Sequence, residues 1–420
     1  MLHSSKLPSF FPQPQSKPSY QGSLPPTTIH IPLSVFDKVA FDTHVALIYA
    51  YRPPTPSNVT LELGLQKALS VYREWAGRFG EDDNGRPVIL LNDEGMRLVE
   101  ASVDSTLDQA MPLKPSESLL SLHPSLKGVV ELVQVQLTRF SGGSLVLGFT
   151  KHHRVADGQS TSSFLVAWGQ ACQGIDISPF PLQDRTTFSR RNPPRFEFDH
   201  RGVEFMNKKL DNVYSLDDNF MDRHQDIVSF FKPYSTFESL VAHLWRAITK
   251  VRALSGFETT HVKIAVNGRT RLNPRVPNEY FGNLVLWAFP CAKVMNLLEK
   301  PLPYAAKLIH DAVAKVNNNY FKSFIDFTSY KVEEEDLITT ADADATVLCP
   351  NLEVDSWIRF PFYDLDFGGG CPYIFIPSYT PIEGCLFLLS SLIWDESIDA
   401  FIHLFRDNWT TFEQICYCIE

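Results

Sequence analysis

With 420 residues, 44% of them hydrophobic, the chain has enough apolar side chains for two cores of about 200 residues each. A formal net charge of −10 argues against nucleic acid as its main partner, and no apolar run reaches the length of a membrane span. The seven cysteines are odd in number and none stands at C-x-x-C spacing, which leaves no patterned zinc or redox site and points to reduced thiols in the cytoplasm.

Residues 1–28 read as a flexible lead-in. The absence of acid from residues 1–36 is shared with transit peptides, but Pro8, Pro12, Pro14, Pro18, Pro25 and Pro26 break any continuous amphipathic helix. A first domain follows over 29–175. Residues 41–51 read as a buried strand stopped by Pro53 and Pro54. A helix is predicted over 60–79, with Leu65, Ala68, Leu69, Tyr72 and Trp75 on one stripe. Residues 87–92 and 96–101 suggest a hairpin around Asp93-Glu94-Gly95. Residues 132–140 alternate apolar and polar, turn at Ser141-Gly142-Gly143, and return as a strand over 144–151. Ser160 is placed to cap a helix over 161–171.

The stretch 176–235 is rich in proline and charge and reads as a crossover linker. A second domain is expected over 236–420. Its elements are helices over 236–254 and 303–316, strands over 262–266 and 357–362, and a late strand pair at 373–376 and 385–389. The sum is an α/β fold of two similar-sized domains without internal repeats.

Lys151-His152-His153-Arg154-Val155-Ala156-Asp157-Gly158 follows directly on a strand. Taken alone, His153 is a base, a metal ligand or a core residue. His152 points the other way on an extended chain, and no further ligand stands at recognisable zinc spacing. Cys172 ends a helical stretch without a paired base, which favours packing over nucleophilic chemistry.

Two motifs considered together narrow the choice. H-x-x-x-D-G at His153–Gly158 and D-F-G-x-G at Asp366–Gly370 resemble the signature pair of the plant BAHD acyl-CoA-dependent acyltransferases. Ala265-Val266-Asn267-Gly268-Arg269-Thr270-Arg271 with Tyr280-Phe281-Gly282-Asn283, and Ser235-Thr236-Phe237-Glu238 leading to Trp245-Arg246, resemble further blocks of that family. Phe41-Asp42-Thr43-His44, Tyr72–Arg78, Tyr320–Phe327 and above all Pro350–Trp357 are similar to its branch acting on agmatine, putrescine and tryptamine.

The resemblance implies a chloramphenicol acetyltransferase-like fold with a substrate channel between two domains. It implies that His153 is the general base, that acyl-CoA is a co-substrate with no bound cofactor or metal, and that no acyl-enzyme forms. The indole N–H of Trp357 would stabilise the oxyanion. Asp157 would turn away from substrate and pair with an arginine of the 267–271 block, Arg269 before Arg271. Gly158, Asp366 and Gly368 would be structural, and Gly369 stands where the family usually carries tryptophan. Asp355 takes the place of a threonine, and Asp342 that of an arginine, in shikimate-type relatives. With Glu353 they would receive a cationic acceptor. Val45 and Leu47 replace small hydroxyl residues, and Tyr49 on the same strand face lines the pocket or packs in the core. Arg246, Lys250, Arg252 and Arg271 are candidates for the CoA anion.

The expected function is transfer of a hydroxycinnamoyl or benzoyl group to an amine by a cytoplasmic monomer, with no nucleic-acid or membrane partner. The rate should rise with pH through an imidazole pKa of about 6.5. One rival makes an ester on a hydroxylated acceptor. The other binds CoA without turnover, a reading suggested by a 205–235 region about twenty residues shorter than in relatives.

Overall fold

The computed structural model describes residues 8–12, 15–21, 25, 29–111, 113, 117–207, 234–342, 346–391 and 397–418. The short stretch singled out within 205–235 lies mostly outside them.

Two mixed sheets organise the α/β fold. The first runs Ser9–Pro12, Arg97–Val103, Val133–Phe140, Leu145–His152, His44–Tyr51 and Ile374–Pro377. The second runs Val285–Ala288, Thr259–Asn267, Leu352–Ser356, Cys385–Ser390 and Ile398–Ile402. Leu145–His152 is buried along its whole length and hydrogen-bonds on both sides, with Val133 and Val45 flanking Lys151. This rigid central strand delivers His153 at its end. Helices Asn58–Val71 and Gly158–Cys172 cover one face of the first sheet and are tied by the Trp168 indole donating to the Leu61 carbonyl at 2.9 Å.

Several expectations are corrected. The helix expected to reach residue 79 ends at Val71, because Tyr72 leaves helical geometry at φ −107°, ψ 63°. A 3-10 turn, Arg73–Ala76, still buries Trp75, so the apolar stripe is real without being one helix. The hairpin around residues 93–95 does not form. Pro87–Leu91 pairs with Arg78–Glu81 and Ile29–Pro32, whereas Arg97–Val103 enters the first sheet parallel to Val133–Phe140. Gly95 lies between them at φ +91° and donates to the Ala76 carbonyl, which sends the two strands to different sheets. The late strand pair is likewise split. Ile374–Pro377 joins His44–Tyr51 in the first sheet, while Cys385–Ser390 lies in the second. No strand spans 357–362: the strand stops at Ser356, the Phe360 N–H donates to the Trp357 carbonyl at 3.1 Å, and a short turn Phe362–Asp364 follows. The helix Asn318–Glu334, which periodicity did not single out, buries Tyr320, Phe321, Phe324 and Phe327 in the second core.

The Asp366–Gly370 loop closes on the first sheet. Asp366 Oδ1 accepts from the N–H groups of Gly368 (2.7 Å) and Gly370 (2.9 Å), and the Asp366 carbonyl accepts from Gln173 at 2.7 Å. Phe367 packs edge-on against Trp168, 4.9 Å between ring centroids. A Cβ on Gly369 would overlap the Pro54 carbonyl oxygen, so this loop cannot carry the family's tryptophan without moving. Gly369→Ala should therefore destabilise the fold by about 1–3 kcal/mol in reversible urea unfolding. An unchanged midpoint would mean that the loop does not pack on Pro54 as described.

Candidate active site

His153 stands where the first sheet meets the second. Its N–H donates to the Thr43 carbonyl at 2.9 Å, and its carbonyl accepts from Asn283 Nδ2 at 3.0 Å. Asn283 is held in turn by Asp37 Oδ1, and Asp37 pairs with Arg185 at 2.8 Å inside the protein. The backbone of the residue is thus gripped from both sheets. The residue as a whole is half-buried. Phe41 packs edge-on to it at 5.6 Å, and Nδ1 has no hydrogen-bond partner among the described residues. Burial pushes the imidazole well below its ordinary pKa, and the nearby cations Lys151 and Lys263 push the same way. His153 is therefore neutral at neutral pH, which is the form that accepts a proton.

Asp157 and Arg269 are brought together. Asp157 caps the helix Gly158–Cys172 by accepting from the Ser160 N–H at 2.9 Å, so the cap is Asp157 and not Ser160. Its carboxylate also accepts from Arg269 at 2.7 and 3.2 Å and from the Leu284 N–H at 3.0 Å. Arg269 Nη2 reaches Ser160 Oγ and the Tyr280 carbonyl, both at 2.9 Å. Both side chains are almost completely buried, at 4% and 1% exposure. Burial alone would raise the Asp157 pKa; the guanidinium and the backbone donors outweigh it and hold it low. Beside this pair a Cβ on Gly158 would lie 2.6 Å from the Phe360 ring, so glycine lets that aromatic from the second half sit against the motif turn.

The acids fall on one face of the second sheet. Alternation along Thr259–Asn267 buries Val262, Ile264 and Val266 and leaves His261 and Lys263 on the half-exposed side. Lys263 lies opposite Glu353 in the parallel register, with Nζ 3.1 Å from its carboxylate. The same ammonium sits 4.8 Å from the ring centroids of both Phe41 and Trp287. His153, Phe41, Lys263 and Glu353 thus form one continuous contact chain. Sequence reasoning missed Lys263, although the buried Val-x-Ile-x-Val alternation already turns it to the open side. It also missed Lys151, whose Nζ is buried and donates to the Ala156 carbonyl at 2.6 Å. Burial pushes this lysine down to about 7 against the pull of Asp157 and Asp355.

Asp355 differs from its neighbours. It is half-buried, and among the described residues no group donates a hydrogen bond to its carboxylate or pairs with it within 4.0 Å. Burial pushes it up to about 7, assisted by Glu353 and opposed by Lys263 and Lys151. The remaining sequence candidates are more scattered. Trp357 is half-buried among Phe362, Phe375 and Phe387, and none of the described residues accepts from its indole N–H. Tyr49 is fully buried, 4.7 Å from the Phe375 ring, and its hydroxyl has no hydrogen-bond partner among the described residues. Asp342 ends the short turn Thr340–Asp342, and its side chain lies outside the described residues. Arg252 is committed to a buried ion pair with Glu383 and to the Asn351 carbonyl, which takes it away from any phosphate. Arg246 donates to the Leu298 carbonyl at 3.1 Å; Lys250 is exposed and Arg271 half-buried. Burial pushes the Cys172 thiol up to about 12, where it is no nucleophile.

A neutral, half-buried histidine at the end of a central strand, close to a second sheet that supplies acid, is a candidate site for chemistry through a general base. The chain belongs to the BAHD transferase family: the profile described as "Transferase family" matches residues 19–418. It is 48% identical over 449 aligned positions to agmatine hydroxycinnamoyltransferase 1 of Oryza sativa subsp. japonica, covering 100% of this chain and 98% of the relative. It is 49% identical to agmatine coumaroyltransferase-1 of Hordeum vulgare over 443 positions, covering 100% and 99%. Among solved structures, F. graminearum TRI101 complexed with ethyl coenzyme A shares the fold, with a TM-score of 0.73, 16% identity and 92% and 97% coverage.

Asp157→Asn would leave Arg269 buried without its countercharge and should cost about 3–5 kcal/mol in denaturant unfolding at neutral pH. The wild-type pair has a matching acid signature. A depressed carboxylate contributes stability above its unfolded pKa of about 3.9 and loses it as the pH falls through the lower folded value. Stability that is the same in Asp157→Asn and wild type at neutral pH would contradict this.

Proposed function

We propose that this chain transfers a hydroxycinnamoyl or benzoyl group from its CoA thioester to the nitrogen of an amine, with agmatine foremost and putrescine and tryptamine as the other candidates. The observation that carries the amine reading is Asp355, an uncommitted carboxylate on the same face as the Lys263 and Glu353 pair that leads to His153. The similarity to agmatine-acylating relatives along the whole chain supports it. Such an acid favours an acceptor with a cationic far end over a polyhydroxylated one. The reading carries with it a monomer, working in the cytoplasm; the seven unpaired cysteines speak for that compartment. Among the described residues no helix is long and apolar enough to cross a membrane.

The chemistry follows from the protonation states. An alkylamine with a pKa near 10.4 arrives mostly as ammonium and must be neutral to attack. Attack on the thioester carbonyl gives a tetrahedral oxyanion and an N–H that has become acidic. Neutral His153 takes that proton, the carbonyl re-forms, and the CoA thiolate leaves and is protonated. The indole N–H of Trp357 is the candidate donor to the oxyanion. Because His153 is pushed well below 6.5, its own titration does not produce the rise in rate near that pH that an unperturbed imidazole would give. Any rise between about pH 5 and 9 belongs instead to the amine and to the Lys151 and Asp355 groups.

One observation favours the reading of a CoA binder without turnover. The alignment with the rice relative spans 449 positions against 420 residues here, so this chain lacks residues that the relative carries. Release of CoA from coumaroyl-CoA, measured with agmatine, putrescine, tryptamine and shikimate, separates the readings. The amines should be acylated faster than shikimate, and His153→Ala should lower the rate by about 10²–10⁴. Faster esterification of shikimate would establish the O-acylating alternative. No turnover, with CoA still bound by wild type and His153→Ala alike, would establish the binder.

A further inference from the structure

The second sheet builds a seat for a cation close to His153, and the chain fills it with its own lysine. Alternation along Thr259–Asn267 turns Lys263 to the open side, and the antiparallel register sets Trp287 opposite Ala265 on that same face. Lys263 Nζ lies 4.8 Å from the ring centroid of Trp287, 4.8 Å from that of Phe41 and 3.1 Å from the Glu353 carboxylate. Two aromatic faces and a carboxylate around an ammonium are the groups that recognise alkylammonium ligands. The side chains of Lys263 and Glu353 are 13% and 14% exposed, so the pair is shielded and is not a loose surface contact. Phe41 joins the seat to the proposed base, since its ring is also 5.6 Å from the His153 ring.

Lys263 ends in a primary ammonium on four methylenes, and so does a polyamine. A seat that holds the one has the size and charge for the other. Glu353 and Asp355 stand two residues apart on the strand Leu352–Ser356, so their side chains leave one face about 7 Å apart. The two nitrogens of a four-carbon diamine are about 6 Å apart. The acids are thus spaced for successive charges of one polyamine, but among the described residues only Asp355 has no ion-pair partner within 4.0 Å.

We propose that Lys263 occupies the place of an acceptor's second far charge, so that the site takes amines with at most one far cation and rejects triamines. The proposal rests on the N-acylation reading and narrows its acceptor class. With Glu353 held by Lys263, Asp355 remains for one ammonium or guanidinium. A triamine brings a further charge against the Lys263 ammonium, and Glu353 is already paired. Lys263 is a specificity-determining residue in this account. It also lies near His153, so its substitution changes the base as well, and the test reads a ratio in which that shared effect cancels.

The test measures kcat/KM for putrescine and for spermidine with coumaroyl-CoA, on the full chain as wild type, Lys263→Met, Lys263→Arg and the double variant Lys263→Met with Glu353→Gln. Both acceptors react through a primary amine, so their ratio on one protein removes changes in the base. Wild type should prefer putrescine by about tenfold or more. Lys263→Met empties the seat and frees Glu353, and should raise the spermidine-to-putrescine ratio about tenfold. Lys263→Arg keeps a cation in the seat and should leave the ratio within about threefold of wild type. Adding Glu353→Gln to Lys263→Met should remove most of the gain. Melting curves verify folding, and Lys263→Gln, which keeps a donor toward Glu353 without the charge, replaces the methionine variant if that one does not fold. A wild type that takes spermidine as readily as putrescine overturns the proposal. So does an unchanged ratio in the folded neutral variant, which is the result expected of a lysine that only packs the two rings. Both outcomes leave N-acylation standing. A wild type that acylates none of putrescine, agmatine and tryptamine overturns both.

Discussion

One buried ion pair fixes the turn that carries His153, the proposed base. Asp157 and Arg269 belong to different sheets' surroundings, 112 residues apart in the chain, and are linked by two charge-assisted hydrogen bonds in a space closed to water. The same carboxylate caps the helix that follows His153, and the same guanidinium holds the Tyr280 carbonyl beside the turn that carries Asn283. Asn283 then holds the His153 carbonyl. The motif turn cannot shift without breaking the cap, the pair and this tether together. Such a pair is expensive to bury and worse to break, so it serves geometry more than net stability.

The consequence for His153 is electrostatic as well as positional. Gripped by its backbone, the residue leaves its ring Nδ1 without a hydrogen-bond partner among the described residues, with Lys151 and Lys263 as the nearby charges. A carboxylate in contact would have raised the imidazole pKa and stored a proton on it. Here the acid of the motif is turned toward Arg269, and the ring is left neutral. The second sheet contributes the complementary feature: Glu353 is paired with Lys263, and among the described residues Asp355 two residues on has no ion-pair partner within 4.0 Å. Two acids on one strand face thus differ in their partners because Glu353 has Lys263 opposite it in register.

The sequence made local pattern legible and left long-range partnership hidden. The strands Val133–Phe140 and Leu145–His152 and the turn between them followed from alternation and Ser141-Gly142-Gly143, which placed His153 at a strand end. Helices with a clear apolar stripe, such as Thr236–Val251, were equally readable. Residues 373–376 and 385–389 both read as strands, but nothing local states that Ile374–Pro377 crosses to the first sheet beside Tyr49. The 93–95 turn misled for the same reason: Asp93-Glu94-Gly95 signals a reversal, while the Gly95 contact with Ala76 is set by tertiary packing. The two lysines stood in no motif. Lys263 was recoverable from strand alternation. Lys151 was not, because a lysine inside an otherwise buried strand gives no sign of which carboxylates the opposite sheet will bring to it.

The claim on which the rest depends is that this junction holds His153 as a neutral base well below the ordinary imidazole range. An NMR titration of protein labelled at histidine Cε1, with the resonance assigned by its loss in His153→Gln, measures this directly. The account predicts that the ring stays neutral as the pH is lowered past about 6.5 and protonates only in more acidic solution. A midpoint at or above 6.5 would contradict it, and with it the placement of the lysines and the orphaned ring nitrogen.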